Sequence, residues 1–278
     1  MRILFLPNHP DLEYYSLVTL FRYLDYTATK SPDDEFDAAF LWQDSTAVSP
    51  PPILHEIARH KPVLNLACTD ISKIHVEQVF REVFGYGTFV DPLLHEGRCI
   101  VKSNENAMGW GSLIEAPVAA PRKDCIYQIL IGSEIDGVQV EYRTPVILGK
   151  LPEVKVWRRQ ALRGPLNERA WLDTTVAEVE AVYTPAECEL ILEFASRAGL
   201  DFGELDVLRS SDDGRIYILD MNTTPSDYGM TNRVRWQPAH RQRSIANLAG
   251  CLDRELRARL GGAAAGPVRA AGGTSPAG

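Results

Sequence analysis

Gly203-Glu204-Leu205-Asp206-Val207-Leu208-Arg209, Asp212-Asp213-Gly214 and Ile216-Tyr217-Ile218-Leu219-Asp220-Met221-Asn222-Thr223-Thr224-Pro225 read as two strands joined by a tight turn. A turn centred near Asp213 pairs residues whose numbers sum to about 426, which sets Asp206 opposite Asp220 to within one residue. Asp220 and Asn222 are two apart on one strand and share a face. Two carboxylates and an amide oxygen suit a hard cation such as Mg²⁺, with phosphate oxygens and water completing its shell. An isolated Asp-x-Asn is more often a strand-end cap. Here two like charges face each other across a hairpin, and they repel unless a cation sits between them.

The rest of the chain places that hairpin. Ile3–Leu6 is a buried strand ended by Pro7, residues 12–24 carry a helical apolar stripe, and 38–42 and 62–66 are further buried strands with a short helix over 53–60 between them. Strand and helix alternating in this way predict a small α/β unit with a parallel sheet. Ile71 to Phe84 is a helix stopped by Gly85 and Gly87, 99–103 is a strand, and 104–112 is a polar, glycine-bearing loop. Strands over 126–131, 138–148 and 154–158 follow, parted by Asp136-Gly137 and by Gly149 to Pro152, and they predict an antiparallel second part. Thr184-Pro185-Ala186-Glu187 is a capping box that opens a helix running to Gly199. A last helix spans 240–260, and the Gly-, Ala- and Pro-rich stretch 261–278 is too poor in apolar bulk to fold.

Composition narrows the function. The chain has 278 residues, 45% hydrophobic and 24% charged, with a formal net charge of -8, which disfavours a nucleic-acid backbone as partner. No stretch approaches the roughly 20 apolar residues of a membrane span. Five scattered cysteines without a CxxC pair read as reduced thiols of a cytoplasmic protein. The six histidines lack HxxxH or HExxH spacing and no Gly-x-Ser-x-Gly elbow occurs, so neither a zinc hydrolase nor a serine triad is supported.

Other residues bear on phosphate chemistry. Lys102 ends a buried strand just before Gly109-Trp110-Gly111-Ser112, where glycines allow backbone N–H groups to close on phosphate oxygens. That stretch read alone is a turn, and it is not a Walker A sequence. Lys73 opens a helix behind Asp70 and Ser72, each a candidate cap. Lys155, Trp157 and Arg159 share one strand face and Arg158 takes the other; a cationic strand serves a polyphosphate or merely protects a solvated edge. Asp227, Tyr228, Glu13, Tyr14 and Tyr15 are candidate substrate contacts, with a surface loop or helix face as the simpler account.

Together these residues resemble the ATP-grasp superfamily over roughly residues 70–225. The resemblance implies an α/β (α+β) ATP-grasp fold behind a small pre-grasp domain over 1–70, a small subdomain over 71–127, and a large subdomain over 128–260 carrying the metal hairpin. It implies ATP and Mg²⁺ as cofactors. Lys73 and Lys102 would reach the phosphates, Gly109, Gly111 and Ser112 would cover them, and Gln128, Ile129 and Leu130 in the hinge would hold the adenine. Either Glu134 or Glu141 would bind the ribose, and Asp206, Asp220 and Asn222 would hold the metal. In the D-alanine–D-alanine ligase pattern an arginine lies two residues before the first metal Asp; here Glu204 stands there, which leaves Arg143, Arg158 or Arg209 to serve the oxyanion. Arg143, Lys155 and Arg158 are the catalytic candidates. The implied activity is ATP-dependent joining of a small-molecule carboxylate to an amine through an acyl phosphate, with ring closure within one molecule as a variant. A small-molecule kinase and a non-catalytic nucleotide-binding module are the alternatives. No nucleic acid or membrane partner is implied, and a homodimer is left open.

Overall fold

The computed structural model describes residues 1–10, 13–106, 108, 110–161, 170–228 and 235–264. Four parallel strands come first: β1 (Arg2–Pro7), β2 (Thr27–Thr29), β3 (Ala38–Trp42) and β4 (Val63–Leu64), in the spatial order β2-β1-β3-β4. Every residue of β3 is buried, as its uninterrupted apolar run requires of a strand covered on both faces. Helices α1 (Ser16–Leu24) and α2 (Pro52–Ile57) flank the sheet. Strand order reverses between β1 and β3, so the crevice beyond their carboxyl ends is where such sheets bind ligands.

Helix α3 (Lys73–Phe84) is capped by Ser72, whose hydroxyl accepts from the His75 N–H at 3.2 Å, and is stopped by Gly85 at φ 77°. The antiparallel strands β5 (Gly97–Ser103), β6 (Gly111–Ala116) and β7 (Cys125–Ile129) follow in the order β6-β5-β7. Next come β8 (Glu134–Ile135), β9 (Val138–Ile147), β10 (Val154–Gln160), β11 (Trp171–Ala177), β12 (Phe202–Arg209) and β13 (Ile216–Asn222). They form one sheet ordered β11-β10-β9-β12-β13, with β8 folded back on β9 through Asp136 and Gly137, both at positive φ.

The six-stranded sheet has two unlike faces. Val146, Val154, Leu205 and Val207 face a core shared with Phe80 of α3 and with Ile191 and Phe194 of α4 (Pro185–Arg197). The opposite face carries Glu141, Arg143, Lys155, Glu204, Asp206 and Asp220, because these residues fall on the other phase of the two-residue strand repeat. A second core joins the first sheet to this one: Ile3, Phe5 and Phe40 meet Ile147 and Phe202 beneath Ile245, Leu248 and Leu252 of α5 (Pro238–Ala264).

Several sequence expectations shift. The loop expected over 104–112 ends before Gly111, which already pairs with Lys102, so Gly111 and Ser112 belong to β6. The 12–24 helix begins at Ser16, and the last helix continues through residues 261–264; the remainder of the expected tail lies outside the described residues. Strands β2, β6, β8 and β11 were not anticipated. The 127/128 boundary falls inside β7.

Candidate active site

Four adjacent strands place four charged side chains in one transverse row. Lys155 of β10 pairs with Arg143 of β9, Arg143 with Asp206 of β12, and Asp206 with Asp220 of β13. The hairpin register read from the sequence is therefore the register of the fold. Glu204 pairs with Asn222 one step along the same two strands.

Arg143 is central to this row. Its Nε donates to Glu204 Oε2 at 2.8 Å, and a terminal nitrogen bonds the Asp206 carboxylate. Lys155, fully buried, bonds Glu204 and, at 2.8 Å, Asp227 Oδ2. Two cations and two acids thus balance under the sheet surface. The partners divide their effects as expected of buried neighbours: burial and Asp227 push the Glu204 carboxyl up, whereas Lys155 and Arg143 overcome burial and hold Asp227 below its ordinary value. Burial opposes the Lys155 charge, but Asp227 and Glu204 more than restore it.

Asp206 and Asp220 lie at the open end of the row. Burial lifts the Asp206 carboxyl to about 7, with Glu141 and Asp220 adding to the lift and Arg143 opposing it. Lys73 Nζ, at the start of α3, is 3.5 Å from Asp220 Oδ2 and donates to the Glu105 carbonyl at 3.1 Å. Lys102 enters from β5: burial lowers its ammonium to about 8, the neighbouring Lys73 lowers it further, and Asp220, Glu141 and Asp206 resist. Two lysines from outside the six-stranded sheet therefore converge on the acidic pair.

The donor set fits a hard divalent ion. Asp206 and Asp220 face each other, and Asn222 follows on the same face with an amide nitrogen that is buried and unpartnered among the described residues. Among those residues no group of three His, Cys, Asp or Glu side chains is gathered tightly enough to hold a metal unaided. Two carboxylates and an amide would leave the remaining positions to phosphate oxygens and water.

The other expected residues divide. Glu141 is on the charged face, 3.6 Å from Arg159, whereas Glu134 is exposed on β8. Gln128 is buried in β7, its Nε2 donating to Thr88 Oγ1 at 2.9 Å while Oε1 has no partner among the described residues. Ile129 and Leu130 follow it, half-buried. Gly109 lies outside the described residues. Arg158 is not brought to the group: it projects from the apolar side of β10 and bonds Asp173 at 2.9 Å. Lys155 has no exposed surface and is joined to the charged row through Glu204 and Asp227. Arg209 bonds Glu187 and the Val182 carbonyl at 2.7 Å each, at the foot of α4. Arg143 alone among the three arginines adjoins the acidic pair. Asp227 and Tyr228 are buried and not on a surface loop, while Glu13 is exposed with Arg22 and Tyr15 donates to Asp44 at 3.1 Å. The role of Glu204 as a bridge between Arg143 and Lys155 was missed, although its two-residue spacing from Asp206 marked it as facing the same way.

Among solved structures, the ATP-grasp ligase PsnB in complex with a minimal precursor matches 91% of this chain and 98% of its own, with a TM-score of 0.58 at 13% identity. The chain has the ATP-grasp fold. PsnB with a phosphomimetic precursor variant, Mg and ADP gives a TM-score of 0.59 at 14% identity, covering 92% of this chain and 98% of the other. The D-alanine–D-alanine ligase of Bacillus anthracis gives 0.53 at 13% identity, covering 93% and 98%. No family model matches the sequence, and no curated protein does. The ATP-grasp likeness thus lies in the architecture. Within that ATP-grasp frame, no helix among the described residues is long and apolar enough to cross a membrane.

Proposed function

We propose that this protein is an ATP- and Mg²⁺-dependent ligase that joins a carboxylate to an amine through an acyl phosphate. The observation that carries the reading is the convergence of Lys73 and Lys102 on the facing pair Asp206 and Asp220, with Arg143 next in the row. The solved structures that share the fold are ligases, and one is described with Mg and ADP. When bound by Asp206, Asp220 and Asn222, magnesium would draw charge from the terminal phosphates.

The chain's own residues do the rest. Lys73 and Lys102 neutralise phosphate oxygens that a carboxylate nucleophile would otherwise meet as like charge. The substrate carboxylate attacks the γ-phosphorus, ADP leaves, and the acyl phosphate forms. The amine nitrogen then attacks the acyl carbon; the C–N bond forms and the C–O bond to phosphate breaks with its electron pair leaving on phosphate. An entering ammonium loses two protons over the sequence, one carried off on hydrogen phosphate and one to solvent. Arg143, held by Glu204, is the donor positioned for the oxyanion of that step. Lys155 keeps Glu204 and Asp227 in place beneath it.

Hydroxylamine intercepts acyl phosphates as hydroxamates whatever the natural amine. ADP release that depends on Mg²⁺ and on an added carboxylate, with hydroxamate formed, supports the ligase. A phosphate ester without hydroxamate selects the kinase, and Mg-ATP binding without turnover across a broad panel of acids and alcohols selects the non-catalytic module.

A further inference from the structure

Arg159 is held by rings more than by hydrogen bonds. Its side chain is 15% exposed, and its Nε is buried with no partner among the described residues. Its ion partner there, Glu141, is 3.6 Å away, too far for a hydrogen bond. Its guanidinium carbon instead lies 3.7 Å from the ring centroid of Trp171 and 5.2 Å from that of Trp157. Arg143 stands against the same Trp157 ring at 5.0 Å. Buried donors are seldom left unpaired, and the planar fork of a guanidinium matches a carboxylate. We propose that Arg159 binds a second carboxylate of the substrate, so that the acid joined by this protein is a dicarboxylate. The assignment rests on the ligase reading for the fate of the first carboxylate.

Strand geometry accounts for the grouping. Trp157 and Arg159 are two apart on β10 and share the charged face with Lys155. The register slips between Arg158 and Arg159: Arg158 pairs with Asp173, but Arg159 pairs with Trp171. Leu172 is the extra residue, 41% exposed, and the bulge turns Trp171 onto the charged face where strict alternation would have put Leu172. The two indoles then meet edge to face, 4.6 Å apart and inclined at 73°. The indole N–H of Trp157, a residue only 5% exposed, is also buried without a partner among the described residues. Neighbouring side chains on one aromatic shelf thus each carry an unpaired donor.

Position separates this cation from the nucleotide. Lys73 and Lys102 come from α3 and β5 and converge on Asp220, on β13 at one edge of the sheet. Arg159 is on β10, on the other side of the strand that carries Arg143. A substrate carboxylate beside Arg143 therefore has the two lysines to one side and Arg159 to the other. One ring sets the spacing. Because both guanidinium carbons lie against the same indole, they are no farther apart than 5.0 and 5.2 Å laid end to end. Diacids with short methylene chains, such as succinate, glutarate and adipate, span that gap. A monocarboxylate engages one guanidinium and leaves the other unpaired.

The test is calorimetric titration of succinate, glutarate and adipate into the Mg-ADP-loaded protein, each against its monoamide, which has the same length and one charge fewer. The wild type should bind at least one diacid saturably and more tightly than its monoamide. Arg159→Gln should weaken that diacid at least about tenfold, change its monoamide less, and leave Mg-ADP affinity in place. Arg159→Lys keeps the charge but not the fork; it should fall between the two, and it carries the test if Arg159→Gln does not fold. No preference for any diacid, or equal diacid affinity in wild type and variants, overturns the assignment. Weaker Mg-ADP binding by Arg159→Gln also overturns it and gives Arg159 to the nucleotide. ADP release with hydroxylamine separates the two readings. If diacids and monoamides release ADP equally well in wild type and Arg159→Gln, the dicarboxylate assignment fails and the ligase stands. If a diacid binds through Arg159 but no carboxylate yields ADP, the ligase fails and the diacid site stands.

Discussion

Asn65 and Phe202 are joined by a two-way hydrogen bond: the Asn65 Oδ1 accepts the Phe202 N–H at 2.9 Å and its Nδ2 donates to the Phe202 carbonyl at 2.8 Å. The same Oδ1 takes the Asp201 N–H at 2.9 Å, and the Asp201 carboxylate accepts the Asn65 N–H at the same distance. The residue just past β4 therefore fixes the entry of β12, four residues ahead of Asp206. Asn65 sits at φ 59°, a conformation an asparagine adopts more readily than most side chains. Asn65→Ala takes the side-chain acceptor from the buried Phe202 N–H and the half-buried Asp201 N–H and strains the backbone, so it should cost about 3 kcal/mol in urea unfolding. Asn65→Gly should regain about 1 kcal/mol of that, because glycine accepts the positive φ. Equal losses in the two variants would show that backbone strain contributes nothing.

Lys155 carries the second prediction. With Lys155 and Arg143 on one side and Glu204 and Asp227 on the other, the buried group is neutral as a set. Lys155→Met preserves the bulk of the side chain but strands two acids in the interior, and should destabilise by about 3–5 kcal/mol. Adding Asp227→Asn to that variant should restore part of the loss, since one stranded charge is removed. A double variant as unstable as the sum of its parts would mean that the two side chains do not interact.

The metal hairpin was legible because an Asp-Gly turn fixes a strand register, and a register fixes which side chains face each other. The Thr184 and Glu187 capping box was legible for a similar reason, being complete within four residues. Strand β6 was hidden because it opens on Gly111, in a stretch whose glycines read as loop, and its partner β5 is the only evidence that it is a strand. Strand β11 was hidden by Asp173, Thr174 and Thr175, which break apolar alternation where the strand is an edge. The burial of Lys155 and Asp227 could not be read locally. Each is paired with a residue 49 or 72 positions away, and only the packed sheet brings them together. Asn65 reads as an interior residue of a strand over 62–66 until its φ and its partners are known.

Glu187 sets an acid-side limit on stability. Burial raises its carboxyl, but hydrogen bonds from Arg209 and from the Thr184 backbone outweigh burial and leave it below the ordinary value. A carboxyl held low when folded binds its proton more tightly when unfolded. Its contribution is therefore complete above about pH 4.3, the ordinary glutamate value, and is lost as pH falls through the lower folded value. Glu187→Gln should lower the melting temperature at neutral pH and flatten its decline below about pH 5. Parallel melting curves of wild type and variant across that range would remove Glu187 as a source of acid sensitivity.

Asp220 tests the site itself, because the fold does not depend on it. Its described partners are Lys73 at 3.5 Å and the neighbouring Met221 N–H at 3.1 Å, and its charge adds to the crowding that lifts Asp206 to about 7. Removing that charge relieves Asp206, so Asp220→Ala should unfold at the same temperature as the wild type or slightly above it in the absence of Mg²⁺. Turnover should move the other way, with ADP release falling at least about a hundredfold and the Mg²⁺ concentration for half-maximal rate rising. Chelation of Mg²⁺ in the wild type should reproduce the loss of turnover, and its return should reverse it. Glu134→Ala, on the exposed β8, is the contrast: it should leave both the Mg²⁺ dependence and the melting temperature in place. An Asp220→Ala protein that releases ADP at the wild-type rate would mean that the facing carboxylates hold no catalytic metal, and the charged face of the sheet would need another purpose.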